Sequence, residues 1–355
     1  MRLFTTLVTE NLEMKNRIFR SATAEVMADE DGRVTESLIE LYRNLAKGGA
    51  STIITGFMYV SEDGKAIEKM VGISKDEHIE GLSKLVSEVK KVDESVVFVA
   101  QLCHAGRQTR VSEPVAPSRV EDPSTGIVPR ELRKEEIERI VDDFAKSAER
   151  AERAGFDAVQ LHSAHGYLLS QFISPHTNRR EDEYGKRRGK IILDILERIK
   201  ERCEIPVMIK MNACDFIPRG LEVKDAVEIA KTLEKAGLEL IEVSGGMHES
   251  AFHYKENMIS RRIQKEEAYF AEFAKKIKRE VEIPVGCVGG IRSVEVAEKL
   301  LEHLDFISLS RPLIRDPLLP AKWMRGESSE SDCISCNRCL ERIRRGEPLR
   351  CEMIR

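Results

Sequence analysis

The string HSAHGY sets His162 and His165 three residues apart, with Tyr167 two further on. Three readings fit such a set. Two histidines at this spacing can clamp zinc, but no glutamate lies between them as in H-E-x-x-H, which argues against a metalloprotease. They can equally be core or interface histidines. Or two imidazole N–H groups converge on a substrate oxyanion while a phenol supplies a proton. The string alone does not choose among them.

A second set lies at the end of the chain. Cys333, Cys336, Cys339 and Cys351 follow the pattern C-x2-C-x2-C-x11-C. The N-terminus MRLFTTLVTENLEMKNR has no continuous apolar core of a signal peptide, so a cytoplasmic location is expected. In that compartment a dense cysteine run reads as a metal site and not as a disulfide framework. Zinc favours two separated C-x-x-C knuckles. Three thiolates in a tight run with one returning suit a [4Fe–4S] cube, so iron–sulfur is the expectation and zinc the alternative. Cys103, Cys203, Cys214 and Cys287 are scattered and read as small buried hydrophobes.

These groups need elements to position them. Eight apolar runs alternate with amphipathic segments: 16–23, 51–56, 96–103, 157–163, 206–212, 240–246, 284–290 and 305–311. They are rich in Val, Ile and Leu without strict alternation, the mark of strands buried on both faces. Helical stripes lie between them, as in ESLIELYRNLAKGG, where Leu38, Leu41, Tyr42 and Leu45 share a face and a glycine pair closes the run. This βα alternation predicts a (β/α)8 TIM barrel over a doubly wound sheet, because no G-x-G-x-x-G follows the first strand. We expect the barrel over 1–326 and a four-cysteine segment over 327–355.

In such a barrel, chemistry gathers where strands end. The seventh run ends in Gly289 and Gly290, the eighth in Ser310 and Arg311. Barrels commonly hold a phosphate there with backbone N–H groups and a helix N-terminus, and Arg311 adds a charged fork. Lys210 closes the fifth run, placed for an anionic ring or a phosphate. Gln101 on the third run offers a donor and an acceptor to a heterocycle edge.

Composition narrows the partners. The chain has 355 residues, a net charge of −4 and 33% charged residues. Weak negative charge argues against nucleic acid as the main partner. The densest basic run, KRRGK (Lys186–Lys190), reads as a solvated helix face. No stretch approaches the length of a membrane helix.

At this point the chain resembles the old yellow enzyme family of flavin-dependent reductases. The likeness rests on MKNRIFRSAT, AQLCHAGRQ, LHSAHGYLLSQFISPHTNRREDEYG, VMIKMN, VGGI and LSRPLIRDP, and spans nearly the whole chain. It implies FMN held without a covalent bond. Ser21, Ala22 and Thr23 would line the flavin, Gln101 would bond its pyrimidine edge, and Lys210 would stand near N1. Gly289, Gly290, Ser310 and Arg311 would hold its phosphate. His162 and His165 would hydrogen-bond the carbonyl of an α,β-unsaturated substrate, and Tyr167 would protonate its α-carbon. Two departures stand out. Ala24 occupies a position where relatives often carry a Thr or Cys that tunes the flavin. KRRGK follows DEYG where many relatives run longer.

The tail resembles the iron–sulfur segment of the 2,4-dienoyl-CoA reductase and trimethylamine dehydrogenase types. There the cluster relays electrons between FMN and a following nucleotide-binding region, and this sequence stops where that region would start. The resemblance implies an ene-reductase supplied by NADH, NADPH or a separate redox protein and acting on a small enone or enoyl substrate. Homo-oligomerisation stays open. Two competitors remain: amine dehydrogenation on the same scaffold, and a flavin-free barrel lyase or isomerase with a structural zinc tail. With 5% aromatic residues and His at position 162, an amine cage is the weaker fit.

Overall fold

The computed structural model describes residues 1–250 and 266–354. All eight apolar runs form strands: β1 (Ile18–Arg20), β2 (Thr52–Tyr59), β3 (Val97–Cys103), β4 (Ala158–Ser163), β5 (Val207–Asn212), β6 (Leu240–Ser244), β7 (Val285–Val288) and β8 (Phe306–Leu309). Each pairs in parallel with its neighbours, and β8 pairs with β1, so the sheet closes into a (β/α)8 barrel. Several strands are shorter than the apolar runs, and β1 and β2 differ in ways that shape the mouth. β1 stops at Arg20, because Ser21 to Ala24 leave the sheet and line the mouth. β2 runs on to Tyr59 through a bulge between Ile54 and Phe57, which turns Phe57 into the mouth.

The helices form the outer ring. They include α1 (Glu36–Ala46), α2 (Ile79–Val92), α3 (Lys134–Ala154), α4 (Lys190–Lys200), α5 (Val223–Lys235), α6 (Ala271–Lys278), α7 (Val294–Leu300), α8 (Leu319–Arg325) and α9 (Arg338–Arg344). Local chemistry sets their ends. The Thr35 side chain accepts a hydrogen bond from the Leu38 N–H and starts α1. α3 ends where Gly155 turns left-handed at φ 91°. Its buried stripe, Ile137, Ile140, Val141, Phe144, Ala148 and Ala151, faces the barrel and packs beside α2 and α4. Burying a side chain of Phe or Ile size stabilises by about 1.5–3 kcal/mol.

The barrel's two ends differ. At the N-terminal end the interior is apolar: Phe19 and Phe306 stack with ring centroids 4.1 Å apart. Leu7 and Met14, from the antiparallel pair Leu7–Val8 and Glu13–Met14, and Leu12 from the turn between them join this plug. The C-terminal end is polar and open. Cys103, Cys203 and Cys287 are buried as expected, whereas Cys214 is half-exposed. Lys186, Arg187 and Arg188 of the KRRGK run are exposed. Among the described residues, no helix is long and apolar enough to cross a membrane.

The tail is stitched to the same polar end. The Val294 N–H donates to Ser329 O, and the Ser331 N–H to Arg292 O. Further on, the Leu349 N–H donates to Glu25 O. The tail therefore runs from the loop after β7 to the segment after β1.

Candidate active site at the C-terminal mouth of the barrel

A cavity of about 580 Å³ opens over the strand ends, within the usual range for small-molecule sites. The flavin-site and catalytic residues read from the sequence all line it. They are Ser21, Ala22 and Thr23 after β1, Gln101 on β3, and His162, His165 and Tyr167 at the end of β4. Lys210 on β5, Gly289 and Gly290 after β7, and Ser310 and Arg311 after β8 complete the set. The four tail cysteines do not line it, but their neighbours Ser335, Leu340, Ile343 and Arg344 do.

A buried polar belt crosses the floor. Gln101 Nε2 donates to Gln160 Oε1 at 2.7 Å, and Gln160 Nε2 donates to Glu242 Oε2 at 3.0 Å. Glu242 Oε1 pairs with Lys210 Nζ at 3.6 Å, and Lys210 Nζ donates to Ser21 Oγ at 2.7 Å. Register produces this order: Gln101 lies opposite Gln160, and Lys210 opposite both His162 and Glu242. Burial pushes the Lys210 ammonium below its usual value, and the Glu242 carboxylate resists that shift. The belt sets Lys210 and Glu242 side by side in a buried position.

The histidines sit on a strained corner. His165 adopts φ 62°, left-handed for a non-glycine residue. Its backbone is held from both sides: the His165 N–H donates to Asn212 Oδ1 at 3.1 Å, and Gln108 Nε2 donates to His165 O at 2.9 Å. The ring Nε2 meets Ser244 Oγ at 2.7 Å. This corner brings the two imidazoles to 5.3 Å, edge to face. The Tyr167 ring lies 4.9 Å from that of His162 and 5.3 Å from that of Phe57. Burial, with Lys210 close by, drops His165 to about 3, and burial with His165 and Lys210 drops His162 well below its ordinary value. Both rings are therefore neutral at physiological pH. Each can offer one N–H without adding a charge to the site.

The floor also holds unmet hydrogen-bonding capacity. Among the described residues, His162 Nδ1 and Ser308 Oγ are buried and have no hydrogen-bond partner. Buried orphan groups of this kind mark a ligand position. Gly289 and Gly290 take φ 129° and 73°, and a Cβ on either would strike the Tyr269 ring. Only glycine fits both the backbone and the space. Thr23 Oγ1 and Ser310 Oγ lie 2.8 Å apart beside them. Apolar Ala22, Ala24, Val26, Phe57 and Ala66 wall the side towards β1 and β2. An apolar wall, a belt of donors and acceptors and a glycine-lined anion corner match a flat heterocycle carrying a phosphate, and the residues present fit FMN.

The tail differs from its sequence reading. Among the described residues, no group of three or more His, Cys, Asp or Glu is arranged to hold a metal ion. Cys339 is buried, while Cys333, Cys336 and Cys351 are half-exposed. The four thiols are nonetheless neighbours. Burial pushes the Cys339 thiol up to about 11, Arg311 pulls it down, and Cys333, Cys336 and Cys351 add to the rise.

Sequence reasoning missed several parts. Gln160 and Glu242 complete the belt, and Asn212 and Ser244 fix His165. The signal was a charged or amide residue inside a strand buried on both faces, as in LIEVSGG. Tyr269, Arg292 and Asn337 left no comparable signal.

The comparisons with known proteins agree with this geometry. A model of the NADH:flavin oxidoreductase / NADH oxidase family matches residues 2–330. An NADH oxidase of Thermoanaerobacter brockii is 39% identical over 341 residues, covering 92% of this chain and 51% of that protein. The chain thus spans about half the length of that relative. The structure of 2-naphthoyl-CoA reductase with 2-naphthoyl-CoA superposes at a TM-score of 0.92 and 26% identity, over 99% of this chain and 56% of that one. The old yellow enzyme homologue of Zymomonas mobilis matches at a TM-score of 0.77 and 26% identity, over 94% of this chain and 95% of that one.

Proposed function

Because the chain belongs to the NADH:flavin oxidoreductase / NADH oxidase family, we propose that it is an FMN-dependent reductase of C=C bonds conjugated to a carbonyl. NADH or NADPH supplies the electrons. The observation that carries this reading is the pair of imidazoles, buried His162 and half-buried His165, 5.3 Å apart at the edge of the cavity. FMN, held by Gln101, Lys210 and the glycine-lined corner, would supply hydride chemistry for the β-carbon of the substrate. His162 and His165 donate hydrogen bonds to the carbonyl oxygen, where negative charge develops. A charged imidazolium would also polarise the carbonyl, but its burial beside Lys210 is unfavourable. Tyr167 delivers the proton to the α-carbon, and Phe57 and His162 hold its ring. Lys210 stabilises negative charge on the ring edge nearest it, with Glu242 setting its position. Gln101 orients the pyrimidine edge. Gly289, Gly290, Ser310 and Arg311 hold the phosphate.

For the tail, we infer a [4Fe–4S] cluster on Cys333, Cys336, Cys339 and Cys351 that relays electrons to or from the flavin. Three thiolates in a tight run with a fourth returning suit the corners of a cube better than one zinc ion, and Cys333, Cys336 and Cys351 lie near enough to act on Cys339. On this reading residues 1–326 form the flavin barrel and 327–355 the cluster segment.

One measurement tests both cofactors. Protein purified without air should contain about one FMN and about four irons per chain. Colourless protein with one zinc and no flavin would refute the reading. Turnover of an enone but not of a methylated amine separates reduction from amine oxidation. Tyr167→Phe is expected to slow the substrate-reducing half-reaction by about 10²–10⁴-fold while flavin reduction by NAD(P)H is unchanged. Stopped-flow traces of the two half-reactions decide this, and equal slowing of both would remove the proton-donor role.

A further inference from the structure

Arg311 does more than face the phosphate corner. Its Nη1 donates to Asn337 Oδ1 at 2.5 Å. Asn337 lies between Cys336 and Cys339, is 7% exposed and caps α9 in a left-handed turn at φ 63°. The Arg311 guanidinium also lies within reach of the Tyr269 phenol and draws it down against the rise that burial causes. The Tyr269 ring lies against Gly289 and Gly290, the remaining wall of the corner. The neighbouring loop is tied in the same way: Arg292 Nη1 donates to Ser335 Oγ at 3.1 Å, and Ser335 is buried. The cysteine-bearing loop is thus bonded to the arginine assigned to the flavin phosphate.

We propose that Asn337 and Tyr269 are positioning residues that hold the Arg311 guanidinium over the phosphate corner, so that the cysteine segment sets the protein's preference for a phosphorylated flavin. The proposal rests on the reading of FMN as cofactor. An arginine side chain has many rotamers, and freezing it has an entropic cost at each binding event. Two fixed acceptors meet that cost during folding. Asn337 is suited to the task because Asn adopts the left-handed turn more readily than most residues and carries an acceptor on a short side chain.

The test is flavin binding by the intact chain after removal of its flavin, followed by flavin fluorescence with FMN and with riboflavin. Asn337→Gly keeps the left-handed backbone and removes only the acceptor. Tyr269→Phe keeps the ring and removes only the hydroxyl. Each is expected to weaken FMN by about tenfold, the worth of a hydrogen bond to a charged group, and to leave riboflavin unchanged. Unchanged FMN binding in both variants overturns the proposal. An equal loss for FMN and riboflavin also overturns it, since it shows a loosened wall and not a displaced arginine. A parent protein that binds the two flavins alike overturns the phosphate assignment and the proposal with it. A parent protein that binds neither overturns the functional reading as well.

Discussion

The double replacement His162→Ala with His165→Ala is expected to cut kcat/KM for an enone by at least about a thousandfold, with FMN still bound. Removing one donor from an oxyanion site costs about 10²–10³ in rate. Here both donors to the same oxygen are lost. The flavin should remain because its other contacts, from Ser21 to Arg311, come from other strand ends. The effect should fall on the substrate-reducing half-reaction, since on the proposed mechanism the imidazoles address the substrate carbonyl. A phenol that binds the parent's oxygen site and shifts its flavin spectrum should have no effect on the variant's spectrum. Unimpaired enone turnover would remove the histidines from the mechanism. Neighbouring structure is at little risk: the Asn212 and Gln108 contacts that hold this corner go to the His165 backbone and survive the change.

Lys210→Met should destabilise the fold as well as abolish turnover. Lys210 and Glu242 are 4% and 0% exposed and form an ion pair at 3.6 Å. Removing one partner of a buried pair costs about 3–5 kcal/mol, because the other charge stays desolvated. Glu242 would keep only the Gln160 amide as a side-chain donor. The flavin-free protein should lose roughly 4–7 °C in Tm. The flavin must be removed for this comparison, because ligand binding itself raises Tm. Adding Glu242→Gln to Lys210→Met removes the stranded charge and should recover most of the lost stability. Activity should not return, as the cation beside the ring is still missing. A single variant as stable as the parent would show that water or another group already compensates Glu242.

The barrel was legible from the sequence because strands buried on both faces must be apolar throughout, and eight such runs stand between helical stripes. The cavity-lining residues were legible for a related reason. Chemistry in this fold collects where strands end, so a Gln, His, Lys or Gly pair at the end of an apolar run is conspicuous. Gln101, His162, Lys210 and Gly289 all stand at such ends and all reach the cavity. The cysteine pattern was equally plain, but its geometry was not. Spacing records how many residues separate the thiols, and not whether their sulfurs point to one centre.

What the sequence by itself determined was the inventory: which strands, which ends and which reactive groups. Tertiary structure decided the pairings. Glu242 is 32 residues from Lys210 in the chain, and only parallel register sets them side by side. His165 acquires its direction from Asn212, Ser244 and Gln108, three residues on other segments. Arg311 reaches Asn337 because the tail folds back across the mouth. The division has a physical cause. Hydrophobic period and strand-end chemistry are local and are written along the chain, whereas a hydrogen bond between distant strands depends on barrel closure and stagger, which no single segment encodes.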